Sequence, residues 1–302
     1  MPAEQLSERV WALTGPNNIG LLVGPGDQAA LVDTGLDESA ARKAWRLVEE
    51  KGLRLVAVVN THSHADHIGG NRFIVGRSGA TVYASAFEAT AIRHPVWEPL
   101  YLAGGAMPGP GGTGKFFMAE PTPQVAELPT AGELDLGAGF VVQIVPLPGH
   151  AHAQVGVAYD GVLFTADTFF PPATLEKHGL PYFVDLAAAE RSLAEVREQS
   201  GRWSTFVPGH GPWLGREELE AQVAANLSYL DSLRGEVLSA LDQPRSQDDL
   251  IDIISRRLGL SYGGCGQYYL ARAALTALLT DLERRSLVSP VVGGTLLRWA
   301  AA

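Results

Sequence analysis

The stretch Asn60-Thr61-His62-Ser63-His64-Ala65-Asp66-His67-Ile68-Gly69-Gly70 gathers three of the chain's eight histidines and one aspartate into six residues. Neutral imidazoles and carboxylates are ligands for Zn²⁺. In an extended segment residues two apart point the same way, so His62 and His64 can face one ion. Asp66 and His67 come after the chain begins to turn. They do not easily join the same tetrahedral set, but they can hold a second ion nearby. Gly69-Gly70 then allows a tight backbone path. Four ligand-type residues at this spacing point to metal binding.

The elements around this stretch read as follows. Leu53 to Asn60 is an apolar run that reads as a buried strand stopping at the cluster. Before it, Val10 to Thr14, Asn18 to Val23 and Gln28 to Asp33 read as strands, with Gly24-Pro25-Gly26-Asp27 as a hairpin connection. Glu38 to Lys51 has the spacing of an amphipathic helix. Ala80 to Ala84 reads as a strand, followed by a helix from about Ser85. Residues 94–125 are rich in Gly and Pro and lack periodicity, which predicts a long loop. Strand patterns resume at Glu133 to Leu136, Phe140 to Leu147, Val155 to Tyr159 and Val162 to Thr165. A helix from about Leu186 to Gln199 precedes a strand at Thr205 to Val207. After Gly215, Leu219, Val223, Leu227, Leu230, Leu233, Val237 and Leu241 step by three or four, marking a long amphipathic helix. Ser246-Gln247-Asp248-Asp249 is a capping pattern before a helix over Leu250 to Leu258. A further helix, Gln267 to Arg285, and a hairpin near Val291 to Leu297 complete a helical extension of winged-helix-like pattern. The expected division is 1–215 and 216–302.

The totals narrow the function. A net charge of −10 argues against a protein that binds polyanions over its whole surface. The charge is uneven: residues 1–242 hold 16 basic against 28 acidic side chains, and residues 243–302 hold 7 against 5. No apolar run approaches the roughly 20 residues of a membrane span, so no membrane role is expected. The opening MPAEQLSERV has early acids and no apolar core, which predicts no signal peptide. Cys265 is the only cysteine, so no intramolecular disulfide forms; a cytoplasmic location is expected.

The pattern His-x-His-x-Asp-His resembles the signature of the metallo-β-lactamase superfamily. Later segments extend the resemblance across about residues 8–212. Val32-Asp33-Thr34-Gly35 is similar to the family's early aspartate motif. Pro148-Gly149-His150, Phe164-Thr165-Ala166-Asp167-Thr168 and Val207-Pro208-Gly209-His210-Gly211 are similar to its later ligand loops, in the family's order. The resemblance implies an α/β fold, a four-layer αβ/βα sandwich with two metals at one edge. It implies that His62, His64 and His150 bind the first ion and Asp66, His67 and His210 the second, with Asp167 bridging. Zn²⁺ is the implied metal, two per chain, although an N/O site of this kind also suits Fe or Mn. Two such ions lower the pKa of a shared water and polarise a carbonyl or phosphoryl oxygen. Asp66 then orients the nucleophile or carries its proton. Asp33 is expected behind the ligands, and His152, two residues past His150, is a second candidate for such a place.

Other residues are candidates for contacting substrate. Trp97, Tyr101, Phe116 and Phe117 lie in the long loop, which reads as a flap over the metal edge; Phe170 and Tyr182 follow the bridging aspartate. Gly109-Pro110-Gly111-Gly112-Thr113-Gly114-Lys115-Phe116 nearly matches a P-loop, but Phe116 stands where Ser or Thr should hold Mg²⁺ and no strand precedes it. Fold and metal site do not fix a substrate. The favoured reading is hydrolysis of a small ester, thioester or lactone, similar to glyoxalase II. Against a close match, the last 60 residues hold no lysine to meet a glutathione carboxylate. An alternative is a single-strand-specific ribonuclease that holds nucleic acid with Arg256, Arg257, Arg284, Arg285 and Arg298. A secreted β-lactamase lacks the expected signal peptide. A third reading is a non-enzymatic metal sensor with a binding tail. In the last helix Leu270, Ala274, Leu275, Leu278 and Leu279 form an apolar face that reads as core or as a homodimer contact.

Overall fold

The computed structural model describes residues 3–302; Met1 and Pro2, where the expectation of no signal peptide begins, lie outside the described residues. Two sheets face each other, and each carries helices on its outer side. The first runs in chain order: β1 (Ala3–Gln5), β2 (Val10–Leu13), β3 (Ile19–Val23), β4 (Gln28–Val32), β5 (Arg54–Val59), β6 (Thr81–Ala84) and β7 (Val125–Glu127). Its first four strands are antiparallel and the rest pair in parallel. The parallel steps are bridged by α1 (Glu38–Glu50), α2 (Ala65–Ile68) with α3 (Asn71–Ser78), and α4 (Ala86–Arg93) with α5 (Trp97–Leu102). The second sheet holds β8 (Gly132–Asp135), β9 (Val141–Pro146), β10 (Val155–Tyr159), β11 (Val162–Ala166), β12 (Thr205–Pro208) and β13 (Leu214–Gly215). The crossover from β11 to β12 carries α6 (Pro172–His178) and α7 (Leu186–Glu198).

Alternation along the strands builds the layers, because successive side chains leave opposite faces. In β4, Ala30 and Val32 point between the sheets, where they meet Val142, Ile144, Val157 and Phe164 of the second sheet. Ala29 and Leu31 point outward onto Ala41, Ala44 and Val48 of α1. On the far side, Leu147, Leu163 and Phe206 pack beneath Leu193 and Val196 of α7. This is an αβ/βα sandwich.

The C-terminal part comprises α8 (Arg216–Ser239), α9 (Gln247–Arg257), α10 (Cys265–Arg284) and a hairpin of β14 (Val288–Gly293) and β15 (Leu296–Ala301). Ser246 and Asp249 form the reciprocal cap of α9. The apolar face of α10 is turned inward: Ala274, Leu275, Leu278 and Leu279 are buried in a cluster with Leu230, Leu250 and Ile254. The same cluster takes Phe170, Leu175, Leu180 and Phe183 from the other side of residue 215.

Several local expectations need correction. Residues 94–125 are not one loop: α5 and a single 3₁₀ turn at Pro110–Gly112 lie within them. Helices α3 and α6 carry too little periodicity to be read; in α3 only Asn71 and Ile74 are buried. Gly69 and Gly70 are not needed for backbone freedom, since both have negative φ. Gly69 is needed for proximity, because a Cβ there would lie 1.9 Å from the Leu36 carbonyl oxygen. No helix among the described residues is long and apolar enough to cross a membrane.

Candidate metal centre

Five strand ends deliver the site. The chain leaves β4 into Asp33, β5 into His62–His67, β9 into His150, β11 into Asp167 and β12 into His210. All five are carboxyl ends of strands, where open α/β sheets build their ligand sites. Asp33 and Ala166, the latter just before Asp167, hold positive φ of 58° and 49°. Such backbone outliers persist where the surroundings over-determine them.

The seven side chains named from sequence converge. Three overlapping groups have donor atoms within 4.8 Å of one another: His62, His64 and His150; His62, His67 and Asp167; and Asp66, His67 and His210. Asp167 touches three imidazoles, at 3.5 Å from His67 Nε2, 3.3 Å from His150 Nε2 and 3.2 Å from His210 Nε2. Asp66 Oδ2 lies 3.4 Å from His210 Nε2.

The outer nitrogen of four imidazoles is pinned. His67 Nδ1 donates to Asp33 Oδ2 at 2.8 Å, His150 Nδ1 to the Tyr182 carbonyl at 2.8 Å, and His210 Nδ1 to the Pro16 carbonyl at 2.5 Å. Thr61 gives Asp33 both its N–H and its hydroxyl at 2.8 Å, which leaves the Thr61 oxygen to accept from His62 Nδ1 at 3.0 Å. Each pinned ring turns Nε2 into the cluster. There His62 Nε2, His67 Nε2 and Asp167 Oδ1 are buried without a hydrogen-bond partner. Buried polar atoms are rarely left so. Three orphaned atoms inside a wall of imidazole and carboxylate fit a divalent cation.

Charge follows position. Burial holds the His62, His64 and His150 imidazoles neutral: His62 lies well below the usual range, His64 at about 4 and His150 at about 3. Neutral imidazole is the ligating form. Burial also acts on His67 and His210, but carboxylates outweigh it. Asp167, Asp66 and Asp33 raise His67 well above the ordinary value, and Asp167 with Asp66 lifts His210 to about 9. Asp167 is pushed up by burial and pulled further down by His210, His67 and His150, ending well below the usual carboxylate range.

Three contacts were not legible in the sequence. Asn17 Nδ2 donates to Asp66 Oδ2 at 2.7 Å. Asn18 Nδ2 ties the β2–β3 turn to the His210 loop through the carbonyls of Pro208 and Gly211. Glu88, buried in α4, accepts from Ser63 N and Ser63 Oγ with one oxygen and from Ala153 N with the other. It thereby joins the His62–His67 loop to the His150 loop. Gly209 is sterically fixed as well, since a Cβ there would sit 1.9 Å from Asp167 Oδ1.

The remaining candidates divide between two cavities. A cavity of about 670 Å³ opens on His64, Asp66, His150, Asp167 and His210, and Phe116, Phe117, Phe170 and Tyr182 line it. Leu260, Tyr262, Gln267 and Leu270 close it from the C-terminal part. Trp97 and Tyr101 line a second cavity, with His64 and Tyr182 again in its wall. His152 lies in that second cavity too. It is exposed, packs on Phe87 with ring centres 4.5 Å apart, and belongs to none of the three ligand-atom groups of the seven clustered residues.

Comparison with known proteins agrees with this geometry. The family model described as the metallo-beta-lactamase superfamily matches residues 13–240. A hydroxyacylglutathione hydrolase of Gloeobacter violaceus is 29% identical over 225 residues, covering 71% of this chain and 75% of that protein. One from Anaeromyxobacter dehalogenans is 30% identical over 156 residues, 52% of this chain and 48% of that protein. In structure, a β-lactamase domain protein from Burkholderia ambifaria superposes with a TM-score of 0.75 at 21% identity, covering 99% of this chain and 93% of that one. On the match over residues 13–240, this chain belongs to the metallo-β-lactamase superfamily.

Proposed function

We propose that this metal-dependent hydrolase cleaves a small ester, thioester or lactone, with two Zn²⁺ ions held by the converged side chains. The observation that carries the reading is the cluster of orphaned donor atoms, with Asp167 among the residues that line the large cavity. His62, His64 and His150 would hold one ion, Asp66, His67 and His210 the other, and Asp167 would reach both. When bound, such ions supply Lewis acidity and a water of lowered pKa.

The chain's own residues position the rest. Asn17 orients the Asp66 carboxylate from one side, so Asp66 is placed to take the proton of the attacking water. The water oxygen forms the new bond to the acyl carbon, and the C–S or C–O bond breaks. The proton held at Asp66 passes to the departing sulfur or oxygen, giving a carboxylic acid and a thiol or alcohol. Phe116, Phe117 and Leu270 line the large cavity and give it apolar surface. The hydroxyacylglutathione hydrolases among the relatives support a thioester.

The ribonuclease reading draws less support. Among the described residues, Lys177 and His178 are the only ones lining the large cavity, beyond the histidine cluster, that can carry positive charge. Four arginines of the C-terminal part are engaged in ion pairs: Arg256 with Asp252, Arg257 with Glu236, Arg284 with Asp185 and Arg285 with Glu190. The test sets S-lactoylglutathione and phenylacetyl thioesters beside a labelled single-stranded RNA, before and after metal is stripped and zinc restored. Zinc-dependent thioester turnover with intact RNA is expected. Zinc-dependent RNA cleavage without thioester turnover would overturn the proposal.

A further inference from the structure

Tyr182 stands between two cavities. On one side is the large one over the metal centre. On the other lies a separate space of about 480 Å³, within the range of roughly 300–1,000 Å³ typical of small-ligand sites. His64 and Tyr182 line both, so the second cavity adjoins the reacting centre directly. Its walls are apolar and aromatic: Phe87, Ala91, Trp97, Tyr101 and Val184. Phe87, Trp97 and Tyr101 are 58%, 51% and 46% exposed. Three half-exposed aromatics around one hollow mark a surface made to be covered.

Ser63, Glu88 and Thr90 in that wall are already engaged, while the exposed His152 imidazole also lines it. Ser63 Oγ donates to Glu88, whose other oxygen accepts from Ala153 N, and Thr90 Oγ1 donates to the Ala86 carbonyl. No lysine or arginine lines the space. A charged arm entering it would lose hydration with only the His152 imidazole at hand to meet it, whereas an alkyl or aryl arm would be buried favourably. The large cavity holds Lys177, Gln267 and Ser261, and so suits the more polar alcohol or thiol that departs.

We propose that this second cavity is the acyl-arm subsite: it takes an uncharged alkyl or aryl group attached to the scissile carbonyl, and thereby sets a preference for apolar acyl substrates. This rests on the hydrolase reading above.

The test compares p-nitrophenyl acetate with p-nitrophenyl octanoate on the zinc-loaded enzyme. The octanoate should be favoured in kcat/KM by at least about tenfold, a small part of what six further methylenes can contribute. Ala91→Phe fills the cavity from its half-buried wall, and Val184→Trp from an exposed rim position. Either variant should reduce the octanoate-to-acetate ratio by about tenfold or more. Saturable binding of 2-nonanone, an unreactive apolar ketone, followed by tryptophan fluorescence, should weaken in the same variants. Equal turnover of the two esters by the wild type would overturn the subsite while leaving the hydrolase reading intact. An unchanged ratio in both folded variants would do the same. Ketone binding that depends on the cavity, with no ester or thioester turnover at all, would overturn the hydrolase reading and the acyl assignment with it, leaving only an apolar binding site.

Discussion

At the scale of single residues, the site separates donor atoms from the groups that aim them. His64 offers its Nδ1 2.9 Å from His150 Nε2, which itself lies 3.3 Å from Asp167 Oδ2. His64→Ala should therefore remove bound zinc and lower turnover by about a thousandfold or more, with the circular dichroism spectrum retained. A folded variant that keeps full activity would exclude His64 from the centre. Asp33 acts through others, holding both His67 and Thr61. Asp33→Asn should weaken zinc affinity by about 10–100-fold, while turnover at saturating zinc falls much less. Equilibrium dialysis beside kinetics separates the two effects. These residues were legible because metal ligands come from a few residue types, His and Asp among them, and because they cluster within a few positions of a strand end. Asn17 and Glu88 were not. Each is a lone polar residue: the partner of Asn17 lies 49 positions away in sequence, and those of Glu88 lie 25 and 65 positions away.

At the scale of elements, the centre depends on loops that hold one another at the sheet edge. Glu88 is the clearest tie, a buried carboxylate serving three donors from two ligand loops. Glu88→Ala leaves those donors without a partner in a buried setting. It should cost about 3 kcal/mol of stability and lower zinc affinity as the loops move apart, measured by denaturant unfolding and metal titration. The strands were readable because burial on both faces gives short apolar runs between turn residues, as in β4 and β5. Helices α5 and α6 were not, since each begins within a Pro-rich stretch and buries only one or two side chains. Tertiary packing against the cavity, not local periodicity, sets their conformation.

At the scale of the whole molecule, the C-terminal helices share a core with α6 and α7 and close the large cavity. A buried ion network strengthens that junction: Arg234 bridges Asp281 of α10 and Glu190 of α7, and Arg285 joins both acids. Amphipathic spacing made the helices legible; their place over the metal edge is a long-range fact that spacing does not contain. The titration of the centre also acts on the whole fold. In metal-free protein, the depressed His62, His64 and His150 lose stability as pH falls below 6.5 towards about 4 and 3, because the unfolded chain takes up protons first. The raised His67 and His210 contribute stability fully below 6.5 and lose it as pH rises, His210 through about 9. The stripped protein should thus be most stable near pH 6.5 in thermal melts, and zinc should remove the alkaline loss by replacing those protons. The central claim is that the converged histidines and aspartates bind the metal on which hydrolysis depends. The most direct test titrates zinc into chelator-stripped protein and follows bound zinc per chain and thioester turnover in the same samples. Turnover should be absent at first, rise with bound zinc and level off at two ions per chain. Full turnover in the stripped protein, or zinc bound at these residues with no turnover of any ester or thioester, would contradict it.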